Sequence, residues 1–206
     1  MPNTIRPAAD PTPLPPDAET VLDFWFGAVD SPSYGHNRVE WFRKDAAFDA
    51  SIRDRFGALI ERALRGELED WAASPSSALA QVIVLDQFTR NVFRDTPRAF
   101  AGDARALQAA RAMVGSRQDE ALPAFQRAFV YLPFEHAEGI EMQHEGVRLY
   151  TRLAALDREQ ASGLDYAERH RAIIERFGRF PHRNRILGRQ STPEEIEFLK
   201  TPGSGF

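Results

Sequence analysis

Apolar residues recur along almost the whole chain at three- and four-residue spacing, and no stretch alternates as a strand would. Val21, Leu22, Phe24 and Trp25 mark a first helix, which Asp17 can cap and Gly27 closes. The stretch 28–37 is rich in turn formers and reads as a loop, after which Val39, Trp41 and Phe42 form a second helical stretch. Phe48, Ile52, Phe56, Leu59, Ile60 and Ala63 share one face of a longer helix ending at Gly66. A short turn of helix around Leu68 and Trp71 follows. Ser74-Pro75 supplies a capping hydroxyl and a first-turn proline. The helix it opens runs through Leu79, Val82, Ile83 and Leu85 to about Arg94, where Thr96-Pro97 breaks it.

The same spacing predicts a helix from Asp103 to Val114, closed by Gly115. After Pro123 a further helical stretch is one that Pro133 would kink or interrupt. The pattern resumes through Ile140, Val147 and Leu153, and again over 165–177. Thr192-Pro193-Glu194-Glu195 reads as a capping box opening a last short helix. This is an all-α chain of about eight or nine helices, whose mostly short loops make sequential helices antiparallel neighbours. An irregular stack of helical hairpins fits better than a strict tetratricopeptide array, because no period of roughly 34 residues is present.

With 206 residues the simplest organisation is one domain over 17–206, behind a leader, 1–16, that holds six prolines and reads as extended or disordered. The leader lacks the apolar region of a secretory signal. No apolar run approaches the length of about 18 residues needed to cross a bilayer. A cytoplasmic protein with no membrane partner is the expectation. Composition is that of an ordinary globular chain, 43% hydrophobic and 27% charged, and the net charge of −4 gives no global pull toward nucleic acid. The chain has no cysteine, which removes disulfides, thiolate metal sites and cysteine nucleophiles.

Three polar segments stand out because each is threaded through apolar residues. In Asp86–Arg94, regular helical spacing places Asp86, Gln87, Arg90, Asn91 and Arg94 on one broad face. That face is apolar one turn earlier, as when a helix leaves a core and enters a polar pocket. An Asp86–Arg90 pair on a solvated surface explains it as well. In Tyr131–Glu138, His136 has two acids nearby, Glu135 and Glu138. A carboxylate-oriented histidine can act as a general base; it can equally be a satisfied core histidine. Between Arg169 and Arg189 lie seven arginines, two histidines and one acid. Arginine recognises carboxylate or phosphate through paired donors, or it ties the chain's own carboxylates together.

The one Glu141-x-x-His144 pair lacks the partners that a di-iron bundle needs, so no metal and no cofactor are expected. Walker, Rossmann and nucleophile-elbow motifs are missing. Leu22–Gly27 (LDFWFG), Leu85–Arg94 (LDQFTRNVFR), Tyr131–Glu138 (YLPFEHAE) and Gly178–Glu195 (GRFPHRNRILGRQSTPEE) resemble the bacterial family called domain of unknown function 924, in the family's own order. Family members commonly carry proline where this chain has Thr89 and serine where it has Ala137. The resemblance implies a tetratricopeptide-like all-helical fold and no particular activity.

The residues themselves suggest a pocket for a small anionic molecule. Arg90, Arg94, Arg183 and Arg189 would hold the anion, and Asn91 and Asn184 the neutral parts of the ligand. His136 and His182 would move protons, with Glu135 or Glu138 orienting a histidine. Enzyme and binding protein are both open. A protein–protein adaptor using a helical-repeat groove, with a purely structural arginine network, is the alternative. Nucleic acid is disfavoured as a partner.

Overall fold

The computed structural model describes residues 13–32, 34–41 and 43–205, and among these every regular element is helical. The first twelve residues of the expected leader lie outside them, as does Phe42. Helix α1 (Pro16–Phe26) starts with proline at its first position; Asp17 is not its cap but sits in the first turn, 2.9 Å from Arg62. The expected second helix is a single 3₁₀ turn, Val39–Trp41. Helix α2 (Ala46–Arg65) is capped by Asp45, whose Oδ1 accepts from the Ala47 and Phe48 amides at 2.9 and 3.1 Å. It ends at Gly66, which takes the left-handed conformation (φ 84°) that a glycine adopts without strain.

Helix α3 (Pro75–Val82) is capped by Ser74, as its sequence foretells. It does not continue as a regular α-helix. Residues Ile83–Phe88 form a π-helical segment before α4 (Thr89–Val92) completes the run. A π turn carries an extra residue, so it changes which side chains share a face, and such segments recur at functional sites. All six residues of the segment are buried.

After a 3₁₀ turn at Pro97–Phe100 come α5 (Asp103–Gly115), α6 (Ala124–His136), α7 (Ile140–Leu156) and α8 (Ala161–Phe177). A 3₁₀ turn, Pro181–Arg183, and α9 (Pro193–Phe198) close the chain. Helix α6 runs on through Pro133 and stops at His136, so Glu138 falls in the link to α7 rather than on a helical face. The Gln143 side chain, from α7, closes that end: its Nε2 donates to the carbonyls of Phe134, Glu135 and Ala137 at 3.2, 2.7 and 2.6 Å.

Helix α3 packs against α1, α5 and α6, and α6, α7 and α8 pack in succession. Edge-on aromatic rings fill the centre: Phe129 meets Trp41 at 4.8 Å, Phe26 at 5.4 Å and Trp25 at 5.8 Å between centroids. Burying each such side chain stabilises the fold by roughly 1.5–3 kcal/mol. A smaller cluster of Ile173, Ile174 and Phe180 fastens the arginine-rich C-terminal segment to α8.

One close approach positions the polar residues described next. A Cβ added to Gly102 would lie 2.0 Å from the Leu85 carbonyl oxygen. Only glycine lets the start of α5 rest on the π segment, and that contact brings Asp103 to Arg90. Among the described residues no helix is long and apolar enough to cross a membrane.

Candidate functional site

Asp86 lies in the π segment with no exposed surface. Its Oδ1 is 2.7 Å from His136 Nδ1 and 3.3 Å from the Arg90 guanidinium, and its Oδ2 accepts from Gln87 Nε2 at 2.6 Å. Burial pushes the Asp86 carboxyl up, but Arg90 and His136 more than offset this and hold it well below the usual carboxylate range. His136 also moves down: burial and the Arg90 charge outweigh the attraction of Asp86. At neutral pH the pair is therefore an ionised carboxylate and a neutral imidazole. An ionised carboxylate only accepts, so Nδ1 carries the proton and Nε2 the lone pair. Nε2 has no hydrogen bond to a described residue, and the side chain is 15% exposed.

Arg90 and Arg183 stand beside this pair. Arg90 forks onto Asp103 at 2.7 and 3.2 Å and donates to the Asp86 carbonyl at 3.1 Å. Arg183 donates to the His136 carbonyl at 2.9 Å and lies 3.7 Å from Asp103, with its guanidinium 4.9 Å from the Phe100 ring and 4.5 Å from the Phe180 ring. Its Nε is buried without a hydrogen-bond partner. Burial and then the Arg90 charge bring Arg183 down to about 10, so it stays charged at neutral pH as the least compensated cation of the group.

The arginine-rich segment continues this network. Arg189 forks onto Glu138 at 2.6 and 2.9 Å, and Glu138 also accepts the Phe180 amide at 2.8 Å. Asn184 accepts from Arg189 Nε at 2.9 Å and donates toward Glu195 and Ser191 at 3.3 and 3.0 Å. Behind His136, Glu135 is buried within 3.3 Å of His170 Nδ1, and its Oε1 makes no hydrogen bond. Burial pushes Glu135 up to about 8 and His170 down to about 3, so both are neutral near pH 7. His182, packed against Phe180 with ring centroids 5.6 Å apart, is brought down to about 4 by burial and Arg183.

A family model described as a bacterial protein of unknown function (DUF924) matches residues 21–203. The chain belongs to this family. It is also similar to a solved structure of a protein of unknown function from Agrobacterium tumefaciens, with 42% identity and a TM-score of 0.77, over 89% of this chain and 96% of that one. No curated protein matches the chain.

In this DUF924 member, Asp86, Arg90, His136 and Arg183 meet in one cluster. Glu138, Asn184 and Arg189 form the network next to it. Asn91 and Arg94 go instead to Asp49 of α2, at 2.7 Å and 3.1 Å. The carboxylate in contact with His136 is Asp86, while Glu135 lies against a different histidine, His170, and Glu138 against Arg189. Asp103, Asp49 and Phe100 are not among the expected site residues, and His170 is expected only as one histidine of the basic stretch. Only Gly102-Asp103, a glycine and an acid opening a helix, left a trace of its own. His144 is exposed and 3.6 Å from Glu175, and no group of three or more potential metal ligands occurs among the described residues. Two surface cavities, of about 280 and 320 Å³, border α5 rather than His136.

Proposed function

We propose that this chain binds a small anionic substrate and that His136 acts on it as a general base. The 2.7 Å contact between Asp86 and His136, beside the incompletely paired Arg183, carries this reading. Asp86 fixes the tautomer and aims the imidazole, as a carboxylate does for a proton-transferring histidine. Arg183, with Arg90, would hold a carboxylate or phosphate of the substrate, and Phe100 forms an apolar wall under both guanidiniums. A positioned general base is worth about 10²–10⁴ in rate.

A structural reading is favoured for the other cations, because Arg94 and Arg189 already have carboxylate partners in Asp49 and Glu138. In it they and the asparagines Asn91 and Asn184 hold the frame. Thermal unfolding with inorganic phosphate, pyrophosphate, succinate and citrate separates the roles. An anion present at a hundred times its Kd adds about 2.7 kcal/mol, or roughly 5–10 °C for a chain of this size. The shift is expected in wild type and Arg94→Lys, and lost in Arg183→Lys, where the planar fork is gone. No shift in wild type, or an equal shift in Arg183→Lys, contradicts the proposal.

A further inference from the structure

The cavity of about 280 Å³ lies away from His136, where the end of α5 and its following turn face α7. Asp119 lines it. This residue is only 4% exposed, yet no cationic nitrogen of a described residue lies within ion-pair distance of it. Its Oδ2 accepts from the Tyr131 hydroxyl at 2.7 Å, while Oδ1 has no hydrogen-bond partner among the described residues. That second oxygen is left open on the cavity side, where a donor can complete it. Water can do so; so can the ammonium group of a ligand.

The rest of the cavity answers to the other end of such a ligand. Arg117 and Arg152 share Glu120: Arg117 donates from Nε and Nη2 to Oε2, at 3.1 and 2.6 Å, and Arg152 stands 3.5 Å from Oε1. Arg148 has its Nε and one terminal nitrogen on Glu145. Donors of Arg148 and Arg152 therefore remain for an anion. Val114 and Leu149 supply an apolar wall. Acceptor, donors and apolar wall thus line a single space of small-ligand size.

We propose that this cavity binds a free aliphatic α-amino acid, with the ammonium on Asp119, the carboxylate on Arg148 and Arg152, and the side chain against Val114 and Leu149. A zwitterion suits it better than a simple anion, which would meet the Asp119 and Glu120 carboxylates with nothing to offer them. The site is separate from the one around His136, and neither proposal depends on the other.

The test is a titration of the full chain followed by amide NMR, with L-leucine, L-leucinamide and 4-methylpentanoate as ligands. Leucine is expected to shift amides of 114–120 and 148–152 saturably. Leucinamide, lacking the carboxylate, and 4-methylpentanoate, lacking the ammonium, are expected to bind at least about tenfold more weakly, the loss of one hydrogen-bonded charge. Asp119→Asn and Arg152→Gln should each weaken leucine at least as much. If Asp119→Asn fails to fold, Arg152→Gln carries the test, because that side chain is 60% exposed. No saturable shift with leucine, equal binding of the three ligands, or unchanged binding in Arg152→Gln overturns the proposal.

Discussion

Replacing Glu135 by glutamine is expected to stabilise the protein, and to do so only above a defined pH. The carboxyl is buried at 2% exposure beside neutral His170, and burial raises it from 4.5 to about 8. In the unfolded chain the same group ionises near 4.5. Between those values the folded protein keeps a proton that the unfolded chain has released. Native stability is thus undiminished below about pH 4.5, falls as pH rises toward 8, and levels off beyond. One pH unit is worth about 1.4 kcal/mol, so the loss is of order 3 kcal/mol at pH 7 and about 5 kcal/mol above pH 8. That is a large part of a typical stability of about 5–15 kcal/mol. Glu135→Gln keeps the shape and removes the titration. Any cost of burying the amide is the same at every pH, so the pH dependence decides the matter. Urea unfolding of both proteins from pH 4.5 to 9, followed by circular dichroism, should show the variant gaining on wild type by several kcal/mol between pH 5 and 8. A difference that does not vary with pH would refute the reasoning.

Gly102→Ala puts a methyl group 2.0 Å from the Leu85 carbonyl oxygen. It should cost about 1–3 kcal/mol or more in denaturant unfolding, as overpacking does, and displace Asp103 from Arg90. Glu195, held down to about 2 chiefly by Arg179, contributes stability that is present above about pH 4.5 and lost as pH falls toward 2. Glu195→Gln should therefore be less stable than wild type at pH 7, with the gap closing in acid. Thr192→Ala removes the hydroxyl of the same capping box and should cost about 1 kcal/mol in the same assay.

Periodicity was enough to read the helices, because their caps are local. Ser74, Gly66 and Thr192 act within a few residues of themselves, and each does in the structure what its sequence indicates. Pro133 shows the limit: a residue that interrupts helices in isolation sits buried inside α6. Asp17 shows another, since proline opens α1 one residue earlier and leaves the acid for Arg62. The π segment could not be read, because one extra residue per turn leaves no mark in an apolar run such as Ile83–Leu85. The face drawn through Asp86, Arg90, Asn91 and Arg94 also divides, by tertiary contact. The first two turn to His136 and Asp103, and the last two to Asp49. Asp103, 13 residues from Arg90, reaches it only because Gly102 allows the backbone approach. Partners fixed by tertiary contact rather than by spacing are the ones a single sequence hides.

The central claim is a neutral His136 whose Nδ1–H is held by an ionised Asp86 and whose Nε2 lone pair is open. Nitrogen-15 NMR of the histidine rings measures this directly. At pH 7 His136 should show a protonated Nδ1 and an unprotonated Nε2, protonating only below the ordinary value of 6.5, and Asp86→Asn should disturb that tautomer. An imidazolium at pH 7, or a proton on Nε2 with the lone pair toward Asp86, would contradict the account.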